Sequence, residues 1–176
     1  MRTILSFPFL VALVGIASAQ EPAADTRPLL WDKVRADMTT AEIRAFYPQD
    51  GKKIKWHGED QTEIEDVSIL EGCDAEVEIH HKSGKVEVVK VKGRGSMFGR
   101  CSDKVFSALA AKYGQPDGQT NQNGGMLKRG KSTAIWSRNG VTMKFLWMND
   151  NGLGGGGLGQ SSWQVEYEGS ARSIAL

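Results

Sequence analysis

The chain has 176 residues, with 22 basic and 21 acidic side chains and a formal net charge of +1 at pH 7. A charge so close to zero argues against a general nucleic-acid-binding protein, which would carry a clear basic excess. The length suits one ordinary domain or two small repeats.

The N-terminus is typical of a cleavable secretory signal. Arg2 precedes an apolar run over 4–16, and Ala17-Ser18-Ala19 supplies the small residues that a signal peptidase recognises. The apolar run is shorter than the roughly 20 residues that a membrane-spanning helix needs. A buried N-terminal helix is the alternative interpretation.

We therefore predict a signal peptide over 1–19, cleaved between Ala19 and Gln20, and a flexible leader over 20–29. No cysteine lies at the cleavage point, so the pattern is not that of a lipoprotein signal. We expect a periplasmic or secreted protein without a transmembrane anchor.

A short first helix is predicted after Met38. Thr39 and Glu42 form a capping box, in which each side chain can bond the backbone N–H of the other residue. Three apolar residues then follow at i, i+3 and i+4, which places Ile43, Phe46 and Tyr47 on one helix face. Pro48 ends the helix.

The pattern then changes to the period of two that is typical of strands. Glu and Val or Ile alternate over 76–79, and His80-His81 follows; Ser83-Gly84 turns the chain into a partner strand over Lys85–Lys92. Shorter strands are predicted at Lys53–His57 and Asp66–Leu70.

A second helix is predicted from Ser102-Asp103, a capping residue followed by an acid suited to a helix N-terminus. Its apolar face comprises Val105, Phe106, Leu109 and Tyr113. Gly114 and Pro116 end it.

A second hairpin has the strongest turn signal in the chain. Asn139-Gly140 joins Thr133–Arg138 to Val141–Met148, and both turn residues tolerate positive φ. With a two-residue turn, Trp136 faces Met143 and Ala134 faces Phe145. A last strand over Ser162–Glu168 directs Trp163, Val165 and Tyr167 to one face.

The order of elements predicts an α+β fold of two tandem units, each a short helix followed by antiparallel strands. Superposing Tyr47 on Tyr113 aligns Asp37 with Asp103 and Ile43 with Leu109. We assign the first unit to 30–98, the second to 99–170 and a tail to 171–176.

The stretch from Val34 to Ile43 (Val-Arg-Ala-Asp-Met-Thr-Thr-Ala-Glu-Ile), closing with Tyr47-Pro48, resembles the opening of a known superfamily. Its members include the small lipoprotein of the outer-membrane barrel-assembly machinery and the β-lactamase inhibitor protein repeats. Tyr113-Gly114-Gln115-Pro116 is similar to the end of that pattern. Asp37 stands where the family has Gly, and the lipid-bearing cysteine is absent. The resemblance implies helices packed on antiparallel sheet, and a protein that binds proteins rather than catalyses.

The two cysteines, Cys73 and Cys101, both lie in the part predicted to be exported. An even count in an oxidising compartment favours a disulfide between them. Two free buried thiols are the alternative.

No motif in the chain predicts catalysis, a cofactor or a metal. His80 and His81 are neighbours on a strand and point to opposite faces, so we expect half-exposed sheet histidines rather than a shared metal site. His57 lies near an acidic run over 59–66 that lacks the spacing of a calcium loop, as does Asn149-Asp150-Asn151-Gly152. Both are predicted to be solvated loops.

The Gly-rich stretch over 152–159 lacks the Lys-Ser/Thr of a phosphate-binding loop and is predicted to be a flexible connector. Trp136, Trp147 and Trp163 fit a core beneath the helices, whereas Trp31 and Trp56 lie outside that set.

We expect a non-catalytic envelope or secreted protein with a protein partner of unknown identity. Exposed aromatic side chains would be natural anchors for that partner. A small periplasmic hydrolase with a spatially assembled site, or a structural envelope component without a dedicated partner, are the alternatives. The oligomeric state is left open.

Overall fold

A computed structural model describes residues 25–47, 54–94, 100–122, 130–149 and 161–169. The predicted signal peptide, its cleavage site and most of the leader lie outside the described residues, as do the Gly-rich stretch over 152–159 and the tail. In the described part, neither helix has the length and apolarity that crossing a membrane requires.

Ten strands and two helices make up the described structure. In chain order they are β1 (Leu29–Trp31), β2 (Val34–Arg35), α1 (Thr40–Phe46), β3 (Ile54–His57), β4 (Gln61–Leu70), β5 (Cys73–Lys82), β6 (Lys85–Arg94), α2 (Arg100–Tyr113), β7 (Gly118–Gln122), β8 (Gly130–Arg138), β9 (Val141–Asn149) and β10 (Ser161–Gly169).

Eight of the strands form one continuous antiparallel sheet in the order β3-β4-β5-β6-β10-β9-β8-β7. Strands account for 61% of the described residues. The predicted fold of two tandem helix-plus-strand units is therefore wrong: the protein is mostly β, with two short helices. The prediction failed because β6 pairs with β10 along most of their length, and no local pattern indicates a pairing between strands so far apart in the chain.

Both helices pack on the same face of the sheet. Successive side chains of a strand point to opposite faces, and the inward set joins one buried cluster with Ile43 of α1 and with Val105 and Leu109 of α2. On the α2 side, the Phe106 ring lies 5.9 Å from that of Trp136 and 5.8 Å from that of Phe145. We call the covered side the helix face.

The start of α1 confirms the predicted capping box. The backbone N–H of Thr39 donates to the Glu42 carboxylate at 2.7 Å, and the N–H of Glu42 donates to Thr39 Oγ1 at 3.3 Å. Ile43 and Tyr47 are buried as expected, but Phe46 is 43% exposed. Phe46 was assigned to the buried face from its spacing, yet α1 has only seven residues and the sheet contacts only a narrow stripe of it.

Both predicted hairpins are present. Ser83 and Gly84 have φ values of 53° and 73°, and Asn139 and Gly140 have 50° and 73°, the positive angles that a tight two-residue turn requires. The second hairpin has the predicted register, with Trp136 opposite Met143.

The predicted disulfide is present as well. Cys73 at the start of β5 is bonded to Cys101 in the first turn of α2, with Cα atoms 5.7 Å apart. The bridge ties the longer helix to the N-terminal half of the sheet, so it links the two ends of the fold across the β6–β10 seam.

Gly93 lies at that seam, opposite Trp163. A Cβ built on Gly93 would come within 2.1 Å of the Trp163 ring, which lies flat across the glycine. Only glycine leaves room for the indole there, and Trp163 is 2% exposed as a result.

Candidate functional site

The face of the sheet opposite the helices is covered by no described element, and we call it the open face. Its side chains are those that alternate with the buried set along each strand. Those used below are Lys55, His57, Glu63, Glu65, Asp74, Glu76, Glu78, His80, Lys90, Lys92, Lys131, Ile135, Lys144, Leu146, Met148, Gln164 and Glu166.

Acidic side chains dominate the open face of β4 and β5, and we call this part the acidic half (Glu63, Glu65, Asp74, Glu76 and Glu78). The acidic run over 59–66 was predicted to be a solvated loop, but from Gln61 onward it belongs to β4. The strand tolerates the acids because Thr62 and Ile64, which alternate with them, are buried on the helix face.

Side chains of β3 contact part of the acidic half. Lys55 on β3 contacts Glu65 at 2.6 Å and Glu63 at 3.4 Å, and His57 Nε2 lies 2.9 Å from Glu63. The hydrogen bond from His57, with Lys55 adding to it, holds the pKa of Glu63 below its ordinary value. The hydrogen bond to Glu65 raises the pKa of Lys55.

Glu76 and Glu78 differ although they are two residues apart on one strand. Burial raises the pKa of Glu76, and repulsion from Glu63 and Glu78 adds to the shift. Burial also acts on Glu78, but hydrogen bonds from Lys92 and His80 outweigh it and keep the pKa of Glu78 below its ordinary value. Glu76 therefore stands among like charges, where a cation supplied by a partner would favour its ionised form.

The opposite half of the open face carries an apolar strip formed by Ile135 of β8 with Leu146 and Met148 of β9. Ile135 is 37% exposed and Met148 is 47% exposed, and Leu146 is partly exposed. Lys144 lies directly opposite Ile135, and Lys131 lies opposite Met148. The strip thus has a basic edge, whereas the acidic half is negative.

A groove of about 650 Å³ connects the two halves. Its acidic wall is formed by Glu65, Asp74 and Glu76, and its far wall by Leu146 and Met148. Lys92 and Gln164 lie between the walls. The groove therefore presents acids, a central cation and apolar side chains to the same occupant.

The three histidines do not share one face of the sheet. His57 and His80 lie on the open face beside Glu63 and Glu78, whereas His81 is 7% exposed and lies on the helix face. The expectation of a half-exposed His81 is wrong, because the alternation of β5 continues unbroken past His80 and directs the His81 ring to the helix face, where Nε2 lies 3.2 Å from Thr62 Oγ1. Among the described residues, no group of three or more His, Cys, Asp or Glu is placed to hold a metal ion.

Two of the five tryptophans are fully buried, as the alternation along their strands predicts. Trp136 and Trp163 are buried on the helix face. Trp147, Trp31 and Trp56 are partly buried. None of the five belongs to the acidic half or the apolar strip, so exposed aromatic anchors do not mark the open face.

Comparisons with family models, curated proteins and solved structures found no match to this chain. The resemblance of the stretch from Val34 to Tyr47-Pro48 to the superfamily named above stays a prediction. The function is therefore argued from the open face alone.

The sequence alone did not predict that these strands form one continuous open face. The alternation of Glu76, Glu78 and His80 with buried residues was visible, and so was the alternation of Lys90 and Lys92 on the next strand. The missing information was that β10 and β9 continue the same surface, which places Leu146 and Met148 across a groove from Glu76.

Proposed function

We propose that this is an exported, non-catalytic protein that binds another protein through the open face of its sheet. The observation that carries the proposal is the open face itself: one whole side of an eight-stranded sheet, free of any described covering element, with an acidic half and an apolar strip on opposite sides of a groove.

The size of the open face suits a protein partner. Eight strands about 4.8 Å apart span roughly 34 Å, and the six long ones, of nine or ten residues, run for roughly 30 Å, so the sheet measures about 1,000 Å². A standard protein interface buries about 800 Å² on each partner. A small ligand would occupy the groove and leave most of the surface in water.

The charge pattern of the open face indicates which side chains a partner must present. A basic side chain would meet Glu76, whose carboxylate lacks an ion pair with any described residue and stands among other acids. An apolar side chain would cover Leu146 and Met148. Opposite charges across an interface speed encounter and fix orientation, while apolar contacts provide most of the affinity.

Export is part of the same proposal. The predicted signal over 1–19 would direct the chain out of the cytoplasm, and the Cys73–Cys101 bridge is of the kind that persists in oxidising compartments. Both support a periplasmic or secreted location, where the partner would also be found.

Site-specific photocrosslinking in cells that export the protein tests the proposal. A benzophenone side chain at Met148 of the apolar strip should yield a discrete crosslinked product. The same group at Ala111, exposed on α2 on the far side of the sheet, should not. Mass spectrometry of the product would identify the partner. Equal products from both positions, or none from Met148 in correctly exported protein, would contradict the proposal.

The identified partner then allows a quantitative test with matched charge reversals. Glu76→Lys, in the groove, should weaken binding at least about tenfold, because it replaces attraction by repulsion in a partly desolvated position. Glu87→Lys carries the same charge change on an exposed side chain that pairs with Lys82 instead. It should leave the affinity nearly unchanged, and equal losses in both variants would show that the groove is not the binding site.

A further inference from the structure

A second surface, on the helix face, is left uncovered by the geometry of the fold. Two helices about 10 Å in diameter cover roughly 20 Å, but eight strands span roughly 34 Å. Neither α1, with seven residues, nor α2, with 14, is long enough to compensate. A cleft of about 490 Å³ remains between them, and we call it the helix-face cleft.

The floor of the helix-face cleft is apolar and buried. Ile64, Val91 and Val165 form it, and all three are at most 3% exposed. They belong to β4, β6 and β10, which are the second, fourth and fifth strands in the order of the sheet. The partly exposed apolar side chains that also line the cleft offer the surface that a hydrocarbon or aromatic body would contact.

One wall comes from the N-terminal segment and the end of α1. The Trp31 and Tyr47 rings are stacked with centroids 6.4 Å apart, and the Tyr47 hydroxyl donates to the Asp32 carboxylate at 2.7 Å. Burial and this hydrogen bond raise the pKa of Tyr47, so the phenol stays protonated and the bond stays in place. The wall is fixed before any ligand arrives.

The other wall comes from α2. Tyr113 lines it with a partly exposed ring and Ala108 lies at its edge, while Tyr167 of β10 also lines the cleft with a partly exposed ring. Val67 and Leu70 of β4 are also partly exposed there. These apolar side chains pack on the core but keep contact with water, and that water would be released by an apolar occupant.

The charges of the described lining are Asp32 and Lys112. The Asp32 carboxylate already accepts the hydrogen bond from Tyr47. Lys112 pairs with no carboxylate of the described residues, and its Nζ lies 5.0 Å from the centroid of the Tyr113 ring, at the rim of the cleft. The uncompensated charge at the mouth of this apolar cleft is therefore positive.

We propose that the helix-face cleft binds a small amphiphile, with an apolar body between the walls of the cleft and one anionic group, carboxylate or sulfonate, beside Lys112. The cleft volume lies within the range of small-molecule sites. It is on the other side of the sheet from the open face, so this binding and the proposed protein binding can fail independently.

Two fluorescent probes that share one ring system test the charge requirement. N-phenyl-1-naphthylamine is neutral, and 8-anilinonaphthalene-1-sulfonate adds one sulfonate to the same rings. The purified exported protein should bind one molecule of either probe per chain, the anionic one more tightly. Lys112→Gln should weaken binding of the sulfonate probe by about three- to fivefold, which is the effect of one exposed ion pair. It should leave the affinity for the neutral probe unchanged.

Lys144→Gln on the open face makes the same charge change and should alter neither affinity. Losses of equal size for both probes in Lys112→Gln, or a loss in Lys144→Gln, would overturn the role of Lys112 as anion partner. Tighter binding of a cationic probe of the same size would overturn the anionic class of ligand.

A matched pair of tryptophan substitutions on α2 tests the location. Ala108 lines the cleft and Ala111 does not, and both are exposed, so neither replacement disturbs the core. Ala108→Trp should abolish binding of both probes, whereas Ala111→Trp should bind them like the native chain. Retained binding in Ala108→Trp, no binding by the native chain, or one probe shared between two chains would overturn the proposal.

Discussion

The two halves of the sheet are built from the same number of strands but in different ways. In the half formed by β3 to β6, the helix face is aliphatic, with Val77, Ile79 and Val89 buried, and the strand register shifts at three bulges. In the half formed by β7 to β10, Trp136 and Phe145 fill the helix face and the pairings of β9 show no shift.

The helices explain the difference. The longer helix, α2, supplies Phe106 to contact Trp136 and Phe145, so large rings can be buried beneath it. The short helix α1 covers little area, and smaller aliphatic side chains with the small β1–β2 sheet complete the core there. The comparison teaches that aromatic packing fills the C-terminal half, whereas the N-terminal half is built mainly on smaller aliphatic side chains and carries the acidic half of the open face.

The largest expected effect concerns the aromatic packing. Trp136 is fully buried, and its Nε1 donates to the Gly114 carbonyl at 2.9 Å. Trp136→Ala should lower the free energy of unfolding by about 3–5 kcal/mol through the cavity it leaves. Urea denaturation at pH 7 measures this.

Trp56→Ala in the other half is the control. Trp56 lies on the edge strand β3, is partly exposed and stacks on Arg44 at 4.7 Å. Trp56→Ala should lower the free energy of unfolding by clearly less than Trp136→Ala does. An equal cost would contradict the view that aromatic packing matters more in the C-terminal half.

The sequence predicted the locally determined parts of both halves. The capping box of Thr39 and Glu42 and the turn at Asn139-Gly140 depend on residues that are neighbours in the chain, and both are present. The Cys73–Cys101 bridge followed from the cysteine count and the predicted compartment.

Non-local pairings could not be predicted in the same way. β7, over Gly118–Gln122, has no apolar residue, and its backbone bonds to β8 make it a strand. The β6–β10 pairing decides that there is one sheet, and it joins strands separated by α2 and three further strands. The groove of the candidate site spans that seam, so it was not predicted either.

The second-largest expected effect concerns the disulfide that links the halves. Its cysteines are 28 positions apart, and closing a loop of this length stabilises the fold by about 3.5 kcal/mol on chain-entropy grounds. In urea denaturation, the double variant Cys73→Ala with Cys101→Ala should have a free energy of unfolding lower by about that amount. The native chain measured after reduction should lose a similar amount. Stability unchanged by both treatments would show that the bridge does not hold the halves together.

A smaller effect is expected from the buried histidine of the N-terminal half. Burial lowers the pKa of His81, the nearby His80 lowers it further, and Asp60 opposes the shift; Nδ1 has no hydrogen-bond partner among the described residues. The folded state therefore binds a proton less readily than the unfolded chain, whose histidine pKa is about 6.5. The His81 contribution to stability should be complete above that pKa and decline as the pH falls below it, by at most about 1.4 kcal/mol per pH unit.

Urea denaturation between pH 7.5 and 5 measures this dependence. His81→Gln should flatten the decline, because glutamine does not titrate. His80→Gln, which changes the half-exposed neighbour on the open face, should retain most of it. A decline that survives in His81→Gln would assign the pH sensitivity to other groups.

The smallest expected effect tests whether the charges of the open face stabilise the fold at all. Lys55 contacts two carboxylates, Glu63 and Glu65, but its side chain is 52% exposed. Exposed ion pairs contribute between zero and about 1 kcal/mol, because water screens them and two long side chains must be held in place. Lys55→Gln should therefore leave the free energy of unfolding almost unchanged.

Arg138 in the C-terminal half is the charged residue with which Lys55 is compared. Its guanidinium bonds Asp117 and also the backbone carbonyls of Tyr113 and Gln115, so it fixes the chain that leaves α2. Arg138→Gln should cost about 1 kcal/mol, since it leaves those carbonyls without this donor. If Lys55→Gln proves the more costly of the two, the charges of the acidic half stabilise the fold. If it proves nearly neutral, folding does not account for those charges, and they are free to recognise a partner.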